Sequence, residues 1–250
     1  MRRTVLIDAD IACYQIASTQ EQVFDFDGRH VLHADLNDGV RELDNLIEWI
    51  IETTDSDDCI LALSHPENFR KSVLPSYKEN RKDQRKPMIL QGLREYLLER
   101  EDTIMSKGLE GDDIIGLTAT YPQDEEERVI FSIDKDLRTV PGLHWDSMYE
   151  EIITVTPEMG FRWFMIQTLT GDTTDNYKGC PGIGPVKAEK LLEGATTQEE
   201  YWSRVVAAYE KAGLTEDDAL VQARCAHILQ HPEYNFMTEE VTLWTPEQSL

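Results

Sequence analysis

Val129-Ile130-Phe131-Ser132-Ile133-Asp134-Lys135-Asp136 is a run of apolar and β-branched residues that stops on two carboxylates one residue apart. Such a run reads as a buried strand, and residues 128–133 are the most convincing core strand of the chain. Acids just past it lie where open α/β sheets bind ligands, in the crevice beyond the carboxyl ends of the strands. The N-terminus repeats the pattern: Val5-Leu6-Ile7 runs into Asp8, with Asp10 close behind. Two further clusters, Glu110-Gly111-Asp112-Asp113 and Asp172-Thr173-Thr174-Asp175-Asn176, lie at loop–helix junctions. Carboxylates sharing a crevice repel, at about 4 kcal/mol per pair for a 4 Å separation and an effective dielectric near 20. Hard cations with oxygen ligands relieve that repulsion. The pattern therefore predicts a multi-carboxylate Mg²⁺ or Mn²⁺ site acting on a phosphate ester.

Around that strand the chain alternates strand and helix. Residues 4–8 read as a buried strand and 22–34 as a hairpin turning at Asp27-Gly28. Leu36, Val40, Leu43, Leu46, Ile47, Ile50 and Ile51 recur at helical spacing over 36–54. Cys59–Leu63 reads as a core strand, Ile89–Arg100 as a helix, 103–106 as a short strand and 110–121 as a helix. Short strand pieces are expected near 147–155. Thr156-Pro157 is a helix start, Thr as N-cap and Pro at the first helical position. From Asp172 the chain becomes glycine-punctuated, with helices over 185–193, 198–212 and 215–230. Alternation implies an α/β fold with a mostly parallel central sheet and helices on both faces. We expect an α/β core over 1–156 and a helical lobe over 157–250.

Net charge is −24 over 250 residues, which argues against non-specific nucleic-acid binding by the whole surface. Yet Arg70, Lys71, Lys78, Arg81, Lys82, Arg85 and Lys86 fall within 70–86, which holds only Glu79 and Asp83 as acids. The stretch 66–87 is bracketed by Pro66, Pro75 and Pro87 and reads as a basic excursion from the sheet, a local contact for a polyanion. Cys13, Cys59, Cys180 and Cys225 are widely spaced with no CxxC, as in a protein of reduced thiols, and no signal peptide or membrane span is evident. A cytoplasmic setting is expected.

Gly182-Ile183-Gly184 opens a helix, where exposed backbone N–H groups can hold a phosphate. Lys187 and Lys190 follow in its first turns. A lone GxG is usually only a tight turn. Here it directly follows the acidic Gly171-Asp172-Thr173-Thr174-Asp175-Asn176 motif.

Taken in order, these pieces resemble the 5′-nuclease superfamily: flap endonucleases, the 5′-nuclease domain of bacterial DNA polymerase I and, above all, the bacteriophage 5′–3′ exonucleases. The resemblance rests on the strand ending in Asp8, Phe69-Arg70-Lys71, Tyr77-Lys78-Glu79-Asn80-Arg81, Glu110-Gly111-Asp112-Asp113, Ser132-Ile133-Asp134-Lys135-Asp136-Leu137 and the GDTTDN–GCPGIG segment. It covers most of 4–192 and nothing in 195–250. It implies a metal-dependent 5′–3′ exonuclease or 5′ flap nuclease, acting on DNA ends, flaps or RNA–DNA hybrids in phage-type replication or recombination, in the host cytoplasm. Asp8, Glu110, Asp112 and Asp113 would serve one metal position; Asp134, Asp136, Asp172 and Asp175 would serve the second. Asp8, Asp112 and Asp134, with Lys78 and Arg81, would carry the chemistry. The family's helical arch or basic loop would span about 66–101, with Arg70, Lys71, Lys78, Arg81 and Lys82 on DNA and Tyr77 stacked on a base. Gly182, Ile183, Gly184 and Lys187 match the family's helix–hairpin–helix variant (about 165–194), which grips duplex DNA, often with a K⁺ ion on its carbonyls.

The sequence departs from that pattern twice. Ser64 and His65 follow Leu63 where the family usually has an Asp, and Ala9-Asp10 stands where a Gly and an Asn or Ser are common. Asp10 reads more readily as the N-cap of an 11–18 helix than as a substitute acid. His65 and the remaining histidines read as surface residues. Two alternatives stand beside the main reading: a PIN-like ribonuclease, against which the basic segment and the Gly182 loop argue, and a non-catalytic DNA-binding factor, against which the retained acids argue.

Overall fold

The computed structural model describes residues 2–123 and 125–247. Residues 1, 124 and 248–250, which fall within the expected units, lie outside the described residues. The chain opens with β1 (Arg2–Asp8), α1 (Ala9–Thr19), a hairpin of β2 (Gln22–Phe26) and β3 (Arg29–His33), α2 (Leu36–Thr53) and β4 (Asp58–Ala62). The hairpin turns on Asp27 and Gly28, both at positive φ (52° and 81°), the conformation of a tight two-residue turn. Then follow α3 (Arg70–Val73), α4 (Leu90–Leu98), β5 (Thr103–Ile104), α5 (Gly111–Ala119), β6 (Glu126–Phe131), β7 (Gly142–Asp146) and β8 (Glu151–Val155). The helices α6 (Pro157–Thr170), α7 (Pro185–Leu192), α8 (Gln198–Lys211) and α9 (Glu216–Ala226) come next, and a ribbon of β9 (Tyr234–Asn235) and β10 (Glu240–Val241) ends the described elements.

Six strands form one sheet in the order β5-β4-β1-β6-β7-β8, all parallel except the edge strand β8. The α/β class and the mostly parallel sheet are as the alternation implies. The pleat of β1 divides the core. Val5 and Ile7 pack with α1, α2 and α4 on one face; Leu6 packs with α5 and with Ile228 and Leu229 on the other. A third core joins α6, α8 and α9 around Phe164, Trp202, Tyr209 and Trp244. Parallel strands end together, so the acid-bearing ends of β1 and β6 share one rim.

Three expectations need correction. The first pieces after β6 are a full strand, β7, whose polar Gly-Leu-His-Trp-Asp composition hid it; its buried His144 is satisfied by the Val140 carbonyl at 2.8 Å. Helix α9 stops at Ala226 rather than near 230. Its end turns the Cys225 and His227 carbonyls onto the Arg70 guanidinium, which a longer helix would forbid. His144 and His227 are buried rather than on the surface, the latter bonded to Glu233 at 2.7 Å.

Of the two forms expected for about 66–101, the structure has a loop over 66–87, followed by α4. The loop carries only α3 and a three-residue 3-10 turn, Glu79–Arg81. The part from Ser76 to Arg81 lies against the acidic loop after α6. Lys78 N–H donates to the Asp175 carbonyl (2.8 Å), Asn176 to the Ser76 carbonyl (2.7 Å) and Asn80 to the Thr173 carbonyl (2.9 Å).

Candidate active site

Each acid is set by local structure. Asp8 ends β1 and caps α1, its Oδ1 accepting from Ile11 N–H at 3.1 Å. Asp134 follows β6 and caps the 3-10 turn Lys135–Thr139, accepting from Asp136 N–H at 2.8 Å. Glu110 and Asp113 form a capping box at the start of α5. Asp172 lies in a loop closed by paired backbone bonds to Tyr177 at 2.8 and 3.0 Å. That loop is pinched at its base by Gly171 and Gly179, both at positive φ. A Cβ on either would come within 2.3 Å of the other strand's backbone. Only glycine lets the chain cross itself there.

A pocket of about 900 Å³ opens at this rim. Seven of the eight expected acids line it: Asp8, Glu110, Asp112, Asp134, Asp136, Asp172 and Asp175. The structure sorts them by partner. Glu110 meets Lys78, Arg70 (3.3 Å) and the Tyr77 hydroxyl (2.9 Å). Asp175 meets Arg81, Lys78 (3.5 Å) and the same hydroxyl (2.7 Å). By contrast Asp8, Asp112, Asp134, Asp136 and Asp172 form no ion pair among the described residues, and one buried oxygen of Asp136 has no hydrogen-bond partner.

Protonation follows that division. Burial would raise the Glu110 carboxyl, yet the charges of Lys78 and Arg70 hold it down at about 2. Asp8 is pushed up to about 6 by burial, with Asp134 and Glu110 adding repulsion. Burial, Asp134, Asp172 and Asp175 push Asp136 up to about 7. Asp112 is raised well above the carboxylate range by burial and by Asp8, Asp134 and Glu110. Asp134 thus faces both Asp8–Asp112 and Asp136. Among the described residues no three His, Cys, Asp or Glu side chains are already closed into a cage, as expected of like charges facing each other across an open pocket. An all-oxygen, unpaired, partly protonated donor set fits a hard divalent cation.

Three expected contacts are not met. Asp113 is fully buried outside the pocket, and its two oxygens accept from Arg70 (2.7 Å each), Glu110 N–H (3.0 Å) and Leu229 N–H (3.2 Å). Every lone pair is engaged, so it is a structural anchor and not a metal ligand. Arg70 is equally buried, at 3% exposure, and so turns away from DNA. Tyr77 is buried in the helical core and cannot stack on a base. The remaining expected DNA contacts lie in reach of solvent. Lys71, Lys82, Gly182, Gly184 and Lys187 are exposed and Ile183 is half-buried. Lys82 pairs with Glu79 at 3.1 Å, and Lys187 donates to the Gly182 carbonyl at 2.8 Å.

The pocket also has residues that the sequence reading missed. Asp8, not Asp10, caps α1. Asp10 instead accepts from Ser64 N–H at 2.7 Å and pairs with Arg94, which also donates to the Ser64 carbonyl at 2.6 Å. Ser64 Oγ in turn accepts from Gly111 N–H at 2.9 Å. Where the resemblance leads one to expect an acid, this chain has a Ser64–Asp10–Arg94 unit. Tyr14 stands on the pocket wall at 53% exposure. The i, i+4 spacing of Asp10 and Tyr14 on α1 was the available signal.

The chain was compared with known proteins. Residues 4–159 match the family described as 5′-3′ exonuclease, N-terminal resolvase-like domain. The exodeoxyribonuclease of Enterobacteria phage T3 is 33% identical over 221 residues, covering 75% of this chain and 73% of that protein. The exonuclease of Escherichia phage T7 matches to the same extent. DNA polymerase I of Rhizobium leguminosarum is 37% identical over 146 residues, 50% of this chain and 14% of the polymerase. Among solved structures, a bacteriophage T5 flap endonuclease in a pseudo-enzyme–product complex with DNA and metal ions superposes with a TM-score of 0.58 at 15% identity, covering 90% of this chain and 91% of that one. That likeness bears on the fold.

Proposed function

We propose that this chain, which belongs to the 5′-3′ exonuclease family and is a nuclease of the 5′-exonuclease and flap-endonuclease kind, holds two Mg²⁺ ions in the rim pocket and hydrolyses DNA, or the RNA of an RNA–DNA hybrid, from a 5′ end. The observation that carries this reading is the set of five carboxylates around one pocket that have no cationic partner among the described residues. Asp8, Asp112 and Asp134 would hold one ion, and Asp136, Asp172 and Asp175 the other, with Glu110 beside the first. Bound there, the ions supply an acidified water and neutralise the charge that grows on the phosphate.

The protein's own groups do the rest. Lys78 and Arg81 lie at the pocket with their charges on Glu110 and Asp175. Released from those acids, both cations would reach the scissile phosphate. The exposed ring of Tyr14 offers a stacking face for a terminal base. Gly184 is at an ordinary φ of −101°, and a Cβ there would meet nothing within the fold. Glycine at that place suits the close approach of a duplex backbone to the first turn of α7. Lys187 already occupies the Gly182 carbonyl, so a K⁺ ion on this loop would compete with that ammonium. We read 1–156 as the main cleaving unit and 157–250 as the lobe that lends it Asp172 and Asp175 and grips the duplex, at work in the cytoplasm.

The test is a digestion panel of 5′-labelled blunt duplex, 5′ flap, gapped circle and RNA–DNA hybrid with Mg²⁺. Nucleotide release that stops with EDTA and with Asp134→Asn is expected. Release that continues in excess EDTA would overturn the metal assignment.

A further inference from the structure

Beyond Asp134 the rim continues along β6 onto β7, and there the structure has a second, smaller pocket of about 110 Å³. Asp134 and Lys135 are the two residues that line both pockets. The smaller one is therefore one strand further along the same edge, about 5 Å away by strand spacing. At about 30 Å³ per water it has room for three or four waters, which is space for a ring system and not for a nucleotide.

Its walls are mixed. Ile133 stands at 70% exposure immediately before Asp134, an apolar side chain left in solvent on the wall of this smaller pocket. Ile153 of β8 lines it too. His144, at 6% exposure, gives its Nε2–H to the Val140 carbonyl, which leaves Nδ1 as an acceptor with no partner among the described residues. Ser132 Oγ accepts from Asp134 N–H, so its own proton is free to donate. Lys135 forms no ion pair among the described residues although acids flank it on both sides, and it stands between the pockets. Ser147 and the Arg138–Asp146 ion pair (3.0 Å) line the pocket as well. Apolar side chains, several hydrogen-bonding groups and a cation at the junction match the flat faces, polar edge and attached phosphate of one nucleotide.

We infer that the β6–β7 pocket is a nucleobase subsite: it takes the base of a substrate nucleotide next to the scissile phosphate, with Lys135 on the phosphate between the two pockets. This rests on the reading of the rim pocket as the cleavage site. Seating one base here would fix the register of the strand over the acids.

The experiment moves a single abasic nucleotide, one position at a time, through the 5′ region of a labelled duplex. Single-turnover cleavage is compared for wild type, Ile133→Ala and Ile153→Trp. Wild type should lose about tenfold in rate at one position only. Ile133→Ala, which touches an exposed side chain, and Ile153→Trp, which fills the pocket, should each cleave the intact duplex more slowly. Each should then show less than about threefold further loss at that position. A full tenfold loss in both variants, or no position-specific loss in wild type, would overturn the subsite. Affinity for the same oligonucleotides, read by fluorescence anisotropy with metal omitted, should show the same pattern. Retained position dependence without any cleavage would count against the nuclease reading alone and leave the subsite standing.

Discussion

Asp112 and Asp113 are adjacent in the first turn of α5, yet they live in different physical regimes. Asp113 points inward, is fully buried and has all its oxygens engaged by Arg70 and two backbone N–H groups. Asp112 points into the pocket, forms no ion pair among the described residues and shares its surroundings with Asp8 and Asp134. A single residue step along the helix separates a carboxylate that holds the fold together from one whose charge strains it. The same division runs through the whole set, with Glu110 and Asp175 tied to cations and Asp8, Asp134, Asp136 and Asp172 left without them among the described residues.

The largest effect should come from Asp112→Asn. Single-turnover cleavage with Mg²⁺ should fall by at least about a thousandfold, roughly 4 kcal/mol of barrier, while the fold is kept. A loss below tenfold would place Asp112 outside the metal's reach. Next in size is Arg70→Met, which leaves the buried Asp113 carboxylate without a cation while Glu110 keeps Lys78, and should cost about 3–5 kcal/mol in chemical denaturation. Arg70→Met with Asp113→Leu should recover most of it, because an apolar pair leaves no charge uncompensated. No recovery would make Arg70 important chiefly for the Cys225 and His227 carbonyls.

How much of this was legible in the sequence can be read from the same residues. The strands before Asp8 and Asp134, the amphipathic α2 and the start of α6 at Thr156-Pro157 follow from local pattern. Asp8, Asp134 and Asp136 were legible because the ends of parallel strands share a rim, and Asp112 and Asp172 because they fall in acidic clusters at loop–helix junctions. Asp113, Arg70 and Tyr77 were misread because their roles depend on partners 33 to 157 positions away, and no local pattern says which face of a helix turn meets an arginine. β7 escaped because His144 and Asp146 are buried polar residues whose satisfaction is tertiary. Asp10 was assigned to the wrong cap for a similar reason: helix α1 begins two residues earlier, on the acid that also ends the strand.

A smaller effect tests the strained half directly. Asp8 and Asp136 are raised to about 6 and about 7 in the metal-free protein. Both lie above the ordinary Asp value, so folding takes up protons between them. Their stabilising contribution is complete below about pH 4 and is lost as pH rises through 6 and then 7. Metal-free wild type should therefore lose melting temperature between pH 5 and 7.5, and Asp136→Asn should flatten that loss by something on the order of 1 kcal/mol. An Asp136→Asn protein that melts clearly lower at pH 7.5 would show that this acid is held by favourable contacts after all. The smallest change should be Lys78→Ala in binding: affinity for duplex should shift less than about threefold while cleavage slows more than tenfold. Equal shifts would reduce Lys78 to a phosphate anchor.

The bonds from Ser76–Arg81 to Asp172–Asn176 join pieces of chain some ninety residues apart, with Asn80 reaching Thr173 across 93 positions. Tyr77 drives the same join into the helical core. Recombination between related chains that imported either piece alone would sever this seam. The two stretches must be inherited, or transplanted by an engineer, as a single cassette.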